Sequence, residues 1–450
     1  MRLPERAPSI EELFDTARPR ARGAPAWEKL AKIVATGPVV RGRYEHWDRL
    51  KYLPCPAGFT LREWWFGLKL ARAHLLKPVP LRDKKGRPFM VATPDPILKQ
   101  LHEIDQNASG RIEIAEEVTN PSTRDRYIID SLIEESITSS QLEGASTTVE
   151  VAKKMIRSGR KPTDRSEQMI FNNYEAMQFV RESRKAPLSP ELVFNLHRIV
   201  TEHTLENAKK AGTFRSKDDD VVVEWRDVEV HVPPLADELP ERLRLMCQFA
   251  NDRPADLFIH PVVRAVVLHF WLAYDHPFVD GNGRTARALF YWSMLSQGYW
   301  LTEYLSISKI LRRAPAQYAR PFLLTETDDN DLTYFLEYQL KVIKRSIDEL
   351  QLYLARKTSE VRQVEALLRA SGDLNHRQLA LVSYAMKHPG YEFTIESHRR
   401  SHDIVYQTAR MDLLDLVRRS LFEQMKRGKT YYFSARGDLR RRLRNVGIPE

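Results

Sequence analysis

His276-Pro277-Phe278-Val279-Asp280-Gly281-Asn282-Gly283-Arg284-Thr285-Ala286-Arg287 decides how this chain is read. An apolar segment, Val266 to Tyr274, runs into it, and a second helical pattern, Ala286 to Leu295, runs out of it. The stretch therefore reads as the turn between two helices. It ends at a helix N-terminus, where unpaired backbone N–H groups bind anions. Gly281 and Gly283 permit positive φ and let a ligand come close to the backbone. Arg284 and Arg287, three apart, share one helix face, and two guanidiniums at such a terminus suit a polyphosphate. Asp280 offers the hard oxygen that a phosphate-bound Mg²⁺ takes. His276 has a side chain that accepts a proton near neutral pH. A plain helix–helix turn would account for the glycines alone. It does not account for a base, a metal ligand, an anion nest and a phosphate clamp within one short run.

The run matches, position for position, the pattern H-P-F-x-D-G-N-G-R-x-x-R, and in this it resembles the Fic-domain signature. Fic-type AMP transferases move AMP from ATP to a hydroxyl of a target protein. The resemblance implies His276 as the base and Asp280 as the Mg²⁺ ligand. It implies Gly281, Asn282 and Gly283 around the α-phosphate, Arg284 and Arg287 on the β- and γ-phosphates, and Phe278 as a buried anchor of the loop. ATP would be the substrate, Mg²⁺ the cofactor, and a protein with a Ser, Thr or Tyr hydroxyl the partner.

Upstream, Asp125 to Thr138 is helical in pattern and is followed by Ser139-Ser140-Gln141-Leu142-Glu143-Gly144. This is similar to the family's S/T-x-x-x-E-G/N inhibitory motif, with Ser139, Glu143 and Gly144 in the fixed places and the helix near 136–145. A Glu reaching Arg287 would pair with it and take the clamp from the γ-phosphate. Ala211-Gly212-Thr213-Phe214-Arg215 resembles the turn before the family's flap. Val221-Val222-Val223 and Val228-Glu229-Val230-His231-Val232 are β-branched runs that read as a hairpin. The resemblance makes Val228, Glu229 and Val230 the flap that aligns a target strand. Downstream, Gln317-Tyr318 falls where relatives carry two tyrosines near the base, which leaves Tyr318 as the base contact. His260 and His269 read as structural. Asp328-Asp329-Asn330-Asp331 reads as an acidic loop and N-cap.

Composition sets the outer limits. The chain has 450 residues, is 42% hydrophobic, and holds two cysteines, Cys55 and Cys247. That excludes a disulfide framework or a zinc cluster and fits a reducing compartment. Met1 to Arg22 has no apolar core of a signal peptide, and no apolar run is long enough to span a bilayer. A cytoplasmic protein without membrane contact is expected. Residues 1–100 carry 20 Lys/Arg against 10 Asp/Glu, and 358–450 carry 17 against 11, so both ends are basic. Basic ends suit an acidic partner such as nucleic acid, or simply a solvated surface.

The expected organisation has three parts. Residues 1–100 form a basic N-terminal extension: a loose arm to residue 25, a helix at Trp27 to Val34, helical segments with Trp47, Trp64 and Trp65, and a small hairpin around Lys84-Lys85-Gly86-Arg87. Residues 101–357 form the Fic core, closed by a helix from Leu332 to Lys357. Residues 358–450 read as a winged helix, with helices at Gln363–Leu368, Asn375–Met386 and Ser401–Leu414 and a β-ribbon after them. Arg399, Arg400, Tyr406, Gln407 and Arg410 are placed for DNA contact, and dimerisation is the other use of such a tail. The fold class is mainly α, a Fic-type helical core with a hairpin flap plus a C-terminal winged helix. The expected activity is protein adenylylation held low by Glu143. AMP removal, a different nucleotide donor, and DNA-binding regulation stay open beside it.

Overall fold

The computed structural model describes residues 2–17, 31–32, 34–35, 37–109, 121–219, 221–225, 228–252, 258–370, 374–402, 404–428 and 430–445. The chain divides into two compact units, Met1–Gln351 and Leu352–Glu450. The N-terminal extension and the helical core thus belong to one unit.

That unit opens with α1 (Ile10–Ala17), α2 (Trp47–Leu50) and α3 (Leu61–Ala73). Residues 2–17 are not a loose arm. Ala7 and Leu13 are buried, and the Ala7 N–H bonds the Thr327 carbonyl at 2.8 Å. Apolar side chains in this first segment have a core to join, made by Trp47, Trp64 and Trp65. Of the helix expected at Trp27 to Val34, only Ala31, Lys32 and Val34 are among the described residues, and they are helical. Thr60 and Glu63 cap α3 reciprocally. β1 (Lys77–Arg82) and β2 (Pro88–Val91) form the expected hairpin. Met90 ties it inward, accepting from Leu332 N at 2.7 Å and donating to the Asn330 carbonyl at 3.0 Å.

The core proper runs through α4 (Asp95–Ala108), α5 (Pro121–Leu142), α6 (Val149–Ser158), α7 (Arg165–Ser183) and α8 (Pro190–Thr201). The flap strands β3 (Val223–Trp225) and β4 (Val228–His231) follow, then α9 (Leu239–Asn251), α10 (Pro261–Asp275), α11 (Asn282–Ser296), α12 (Ile307–Arg313), α13 (Pro315–Thr327) and α14 (Thr333–Ala370). Both α10 and α11 are buried on every side. A helix apolar all round belongs at the centre of a bundle. α10 packs against α11, α11 also against α7 and α8, and α5 against α7 and α12. The loop between α10 and α11 is therefore fixed from below by the most buried pair in the unit.

The division between units falls within α14, which extends past the expected end at Lys357. The second unit continues with α15 (His376–Lys387), β5 (Glu392–Phe393), α16 (Ile395–His402), α17 (Tyr406–Arg418), β6 (Phe422–Arg427), β7 (Thr430–Ala435) and α18 (Leu439–Asn445). Its antiparallel sheet has the order β5-β7-β6. Leu381, Val382, Phe393, Leu413, Leu416, Phe422 and Phe433 make its core. Two expected helices move. Gln363–Leu368 is the tail of α14. Arg399 and Arg400 lie on α16, because the Thr394 hydroxyl caps the Ser397 N–H at 3.0 Å and starts a helix directly after β5. The expected third helix accordingly begins at Tyr406, not at Ser401.

Candidate active site

α10 ends at Asp275, and His276 takes the left-handed conformation (φ 46°, ψ 56°), with its N–H on the Leu272 carbonyl at 3.0 Å. A non-glycine residue held there is strained and needs surrounding support. Arg215 supplies it, donating from its backbone N–H to the Pro277 carbonyl at 2.9 Å and from Nε to the His276 carbonyl at 2.9 Å. It also reaches the Pro234 carbonyl at the end of the flap. The Asn282 side chain closes the loop on itself. Its Oδ1 accepts from Phe278 N at 3.0 Å and its Nδ2 donates to the Phe278 carbonyl at 2.8 Å.

Phe278 is fully buried and stacks on His197, with ring centroids 3.7 Å apart and 9° between planes. His197 Nδ1 accepts from Gly212 N at 2.9 Å, so Nε2 carries the hydrogen that goes to the Asp280 carbonyl at 2.9 Å. Burial pushes this imidazole down to about 4, which keeps that neutral tautomer at pH 7. Gly281 has φ 81°, and a Cβ there would lie 2.7 Å from Thr201 Cγ2. Gly283, by contrast, is helical and has no positive φ. Its need for glycine is the close approach alone: a Cβ would collide with the Glu143 carboxylate.

His276 Nδ1 faces the Ala273 carbonyl at 3.1 Å. A carbonyl only accepts, so Nδ1 carries the hydrogen and Nε2 keeps its lone pair. Burial is the main reason that the His276 pKa falls to about 4; the bond to Ala273 opposes it and His231 adds to it. At neutral pH the ring is an unprotonated acceptor.

At the N-terminus of α11 the two arginines differ. Arg284 is fully buried and donates from Nη1 to the Val200 carbonyl at 2.9 Å. Among the described residues its Nε and Nη2 have no hydrogen-bond partner, and Nη2 lies 3.7 Å from Asp280 Oδ1. Arg287 is committed elsewhere. Its Nε donates to Ser139 Oγ at 2.9 Å, and its Nη2 donates to the Ser139 carbonyl at 3.0 Å and to Glu143 Oε1 at 2.8 Å. Burial lowers the pKa of both guanidiniums. For Arg287 the Glu143 charge and hydrogen bond together with Tyr318 and Glu135 outweigh that and raise it, whereas Arg284 stays below the usual arginine range. Glu143 follows the last residue of α5 and is turned by Gly144 at φ 93°. Two of the three residues of the sequence motif, Ser139 and Glu143, thus meet Arg287, Gly144 supplies the turn, and the carboxylate rests against the first turn of α11.

Asp280 is partly exposed, with Oδ2 3.5 Å from Arg165 Nη2. Among the described residues no group of three His, Cys, Asp or Glu could hold a metal ion. A single carboxylate beside an anion site fits Mg²⁺ that arrives on substrate phosphates, since that ion keeps waters and phosphate oxygens as most of its ligands.

Tyr318, on α13, puts its hydroxyl 2.9 Å from His269 Nε2. The half-buried phenol lies beside Arg287, and burial raises its pKa. Any contact with a base would therefore come from the ring. Val228 and Glu229 are exposed on β4 and Val230 is half-buried, in a hairpin paired Val223 to His231 and Trp225 to Val228. Two residues at the site, His197 and His231, carry no site signal of their own in the sequence, and Arg215 stood there only as the end of the turn before the flap. The signal for Glu135 was a carboxylate on an apolar helix face. It is fully buried and accepts from Ser306 Oγ and Ser308 N, each at 3.0 Å, which ties α5 to the start of α12.

Comparison with known proteins bears on the same segment. Residues 187–294 match the model of the Fic/DOC family. The chain is 24% identical over 241 residues to the protein adenylyltransferase Fic of Nematostella vectensis, covering 52% of this chain and 51% of that protein. It is 27% identical over 202 residues to the protein of the same name from Drosophila mojavensis, covering 44% and 36%. The chain thus spans about half, or less, of the length of the curated relatives that it matches. A crystal structure of a Fic family protein from Desulfovibrio desulfuricans G20 superposes with a TM-score of 0.51 at 18% identity, over 76% of this chain and 94% of that one. At that identity the likeness speaks for the fold.

Proposed function

We infer, from the premise that residues 187–294 are a Fic domain, that this chain is a protein adenylyltransferase acting on a hydroxyl of another protein. The observation that carries the reading is the pair of groups at the α10–α11 loop. Buried Arg284 has two nitrogens, Nε and Nη2, without a hydrogen-bond partner among the described residues, beside a helix N-terminus, and His276 is held neutral one loop away. One waits for an anion and the other for a proton.

In the proposed reaction His276 Nε2 takes the hydrogen of a Ser, Thr or Tyr hydroxyl. That oxygen forms a bond to the α-phosphorus of ATP as the α–β bridging P–O bond breaks, and pyrophosphate leaves with the bonding pair. The N–H groups at the start of α11 and Arg284 hold the phosphates, aimed where charge develops. Asp280 would hold Mg²⁺, which when bound supplies positive charge to the pyrophosphate side. Glu143, by holding Arg287, keeps one phosphate ligand out of use, so basal activity is low.

The test is transfer of label from α-labelled ATP with Mg²⁺, to the protein itself and to proteins of a lysate. Wild type, Glu143→Gly, and Glu143→Gly with His276→Ala are compared. Strong labelling by the single variant alone is expected. No label from any variant would overturn the reading for ATP; the same assay with other labelled nucleotides, and with an AMP-modified protein for AMP release, would then separate its rivals.

A second reading concerns residues 352–450. The order helix, short strand, two helices and a two-stranded ribbon suits a winged helix, and Tyr406 and Gln407 are exposed at the start of its third helix with Arg410 one turn on. Against DNA contact stands local pairing: Arg399 and Arg400 bind Glu396, and Arg427 binds Glu392. Duplex binding by the full chain, with affinity falling steeply with salt, would support DNA contact, and its absence at low salt would remove it.

A further inference from the structure

We propose that His231 is a positioning residue that locks the root of the flap to the end of α10 and to α13, so that target docking and the catalytic loop move as one. This rests on the transferase reading for its meaning, but not for its geometry.

His231 ends β4, and its side chain is 8% exposed. Its Nε2 lies 2.8 Å from the Tyr274 carbonyl, and its Nδ1 lies 3.1 Å from Glu326 Oε2. Neither acceptor carries a hydrogen, so the two contacts are both hydrogen bonds when both ring nitrogens donate. The Tyr274 carbonyl belongs to the last turn of α10, where no intrahelical donor remains. The residue that could have supplied one, Phe278, gives its N–H to Asn282. His231 therefore caps the helix whose next turn places His276, and it does so from the flap. The ring also packs on Tyr274, with centroids 4.6 Å apart. Glu326 lies on α13, the helix that also carries Tyr318. One side chain thus joins three elements: the hairpin proposed to align the target, the helix end that presents the base, and the helix beside the proposed nucleotide site. A hairpin this short is marginal alone in water, so its root decides where it sits. Arg215, which bonds both the His276 and Pro234 carbonyls, is the other attachment.

The experiment uses the full chain in the Glu143→Gly background, with His231→Ala, His231→Gln and Glu326→Gln. The first readout is amide hydrogen exchange of residues 221–232, which needs no activity. Exchange at least about tenfold faster in His231→Ala is expected, the size of one lost hydrogen bond to a charged group. His231→Gln, which still donates, should recover part of the protection. The second readout compares labelling of protein acceptors with hydrolysis of α-labelled ATP to AMP, in which water replaces the target. Protein labelling should fall about tenfold or more through KM, with AMP formation changed less than about twofold. Unchanged flap exchange in a folded His231→Ala protein would overturn the proposal, and so would equal loss of both reactions. If neither reaction occurs in the parent variant, the transferase reading fails while exchange still decides the lock.

Discussion

Arg72 and Arg284 are both arginines with no exposed surface, and they are used in opposite ways. Arg72, on α3, has a partner for each nitrogen: Nε to the Pro38 carbonyl at 2.9 Å, Nη1 to the Tyr334 hydroxyl at 3.0 Å, Nη2 to the Glu45 carbonyl at 2.9 Å. Its guanidinium also lies 3.8 Å over the Tyr44 ring. Around it Lys69 meets Asp328 at 2.7 Å, and the Tyr44 hydroxyl meets Asp331 at 2.7 Å. Arg284 has one hydrogen-bond partner among the described residues, its Nε and Nη2 having none, with Asp280 Oδ1 3.7 Å from Nη2. A buried cation that is fully satisfied holds a fold together. One left partly unsatisfied costs stability and is retained for a ligand.

The sharpest way to break this contrast is to replace each arginine by methionine. Arg72→Met should cost about 3–5 kcal/mol in chemical denaturation, because it strips a buried network of its cation, while activity per folded molecule is kept. Arg284→Met should leave the denaturation midpoint nearly unchanged. Label transfer should fall about 10²–10³-fold, as when a donor to developing charge is lost. If Arg284→Met unfolds the protein and Arg72→Met only slows it, the assignment is reversed.

Arg287 stands between the two, held at present by Ser139 and by a Glu143 carboxylate that is itself partly exposed. Removing that partner should turn it into a second Arg284. Glu143→Gly should raise label transfer about 10–100-fold, the worth of one charge-assisted bond, with little change in stability. Ser139→Ala, which leaves the Glu143 contact and the Ser139 carbonyl in place, should raise it less.

The same contrast explains what could be read in advance. The loop from His276 to Arg287 was legible because its chemistry is local: base, carboxylate, glycine turn and arginines act on a ligand within one helix end. His197 was not, because it serves the loop from α8, 83 residues from Asp280, and a histidine on an apolar helix looks like any core residue. The Arg72 network was read in halves. Asp331 does cap Thr333 at 2.9 Å, as the acidic loop suggested. Asp328 is instead the buried partner of Lys69, 259 residues away, and no local spacing shows that. In the second unit the strands and ribbon were legible from β-branched and aromatic runs. Helix boundaries slipped where a single hydroxyl cap, Thr394, outweighed the apolar pattern.

A smaller effect is expected at Arg165, an exposed arginine on α7 whose Nη2 lies 3.5 Å from Asp280. An exposed pair of this kind contributes well under about 1 kcal/mol, so Arg165→Ala should leave stability unchanged. It should lower the Mg²⁺ concentration needed for half-maximal transfer by less than about fivefold, because a weak competitor for the Asp280 carboxylate has gone. A tenfold higher requirement would make Arg165 part of the phosphate clamp instead.

The least change of all is expected from pH between 7.5 and 5.5, and the size of that null effect is informative. An ordinary histidine near 6.5 would be mostly protonated at pH 5.5, and a base of that kind would lose about tenfold of its free form. Burial holds His276 at about 4, so its neutral form persists over the whole range. Single-turnover transfer in Glu143→Gly should therefore vary less than about twofold there and be lost only as pH falls through about 4. The sign for folding follows from the same shift. The unfolded chain takes up protons at His276, and likewise at His197, which is also held at about 4, below about 6.5, where the folded chain does not. Stability should thus fall as pH drops from 6.5 toward 4, while the rate per folded molecule holds. A rate that fell in step with an ordinary imidazole would mean that the ring opens to water during turnover, and that the Ala273 bond no longer fixes Nε2 as the acceptor.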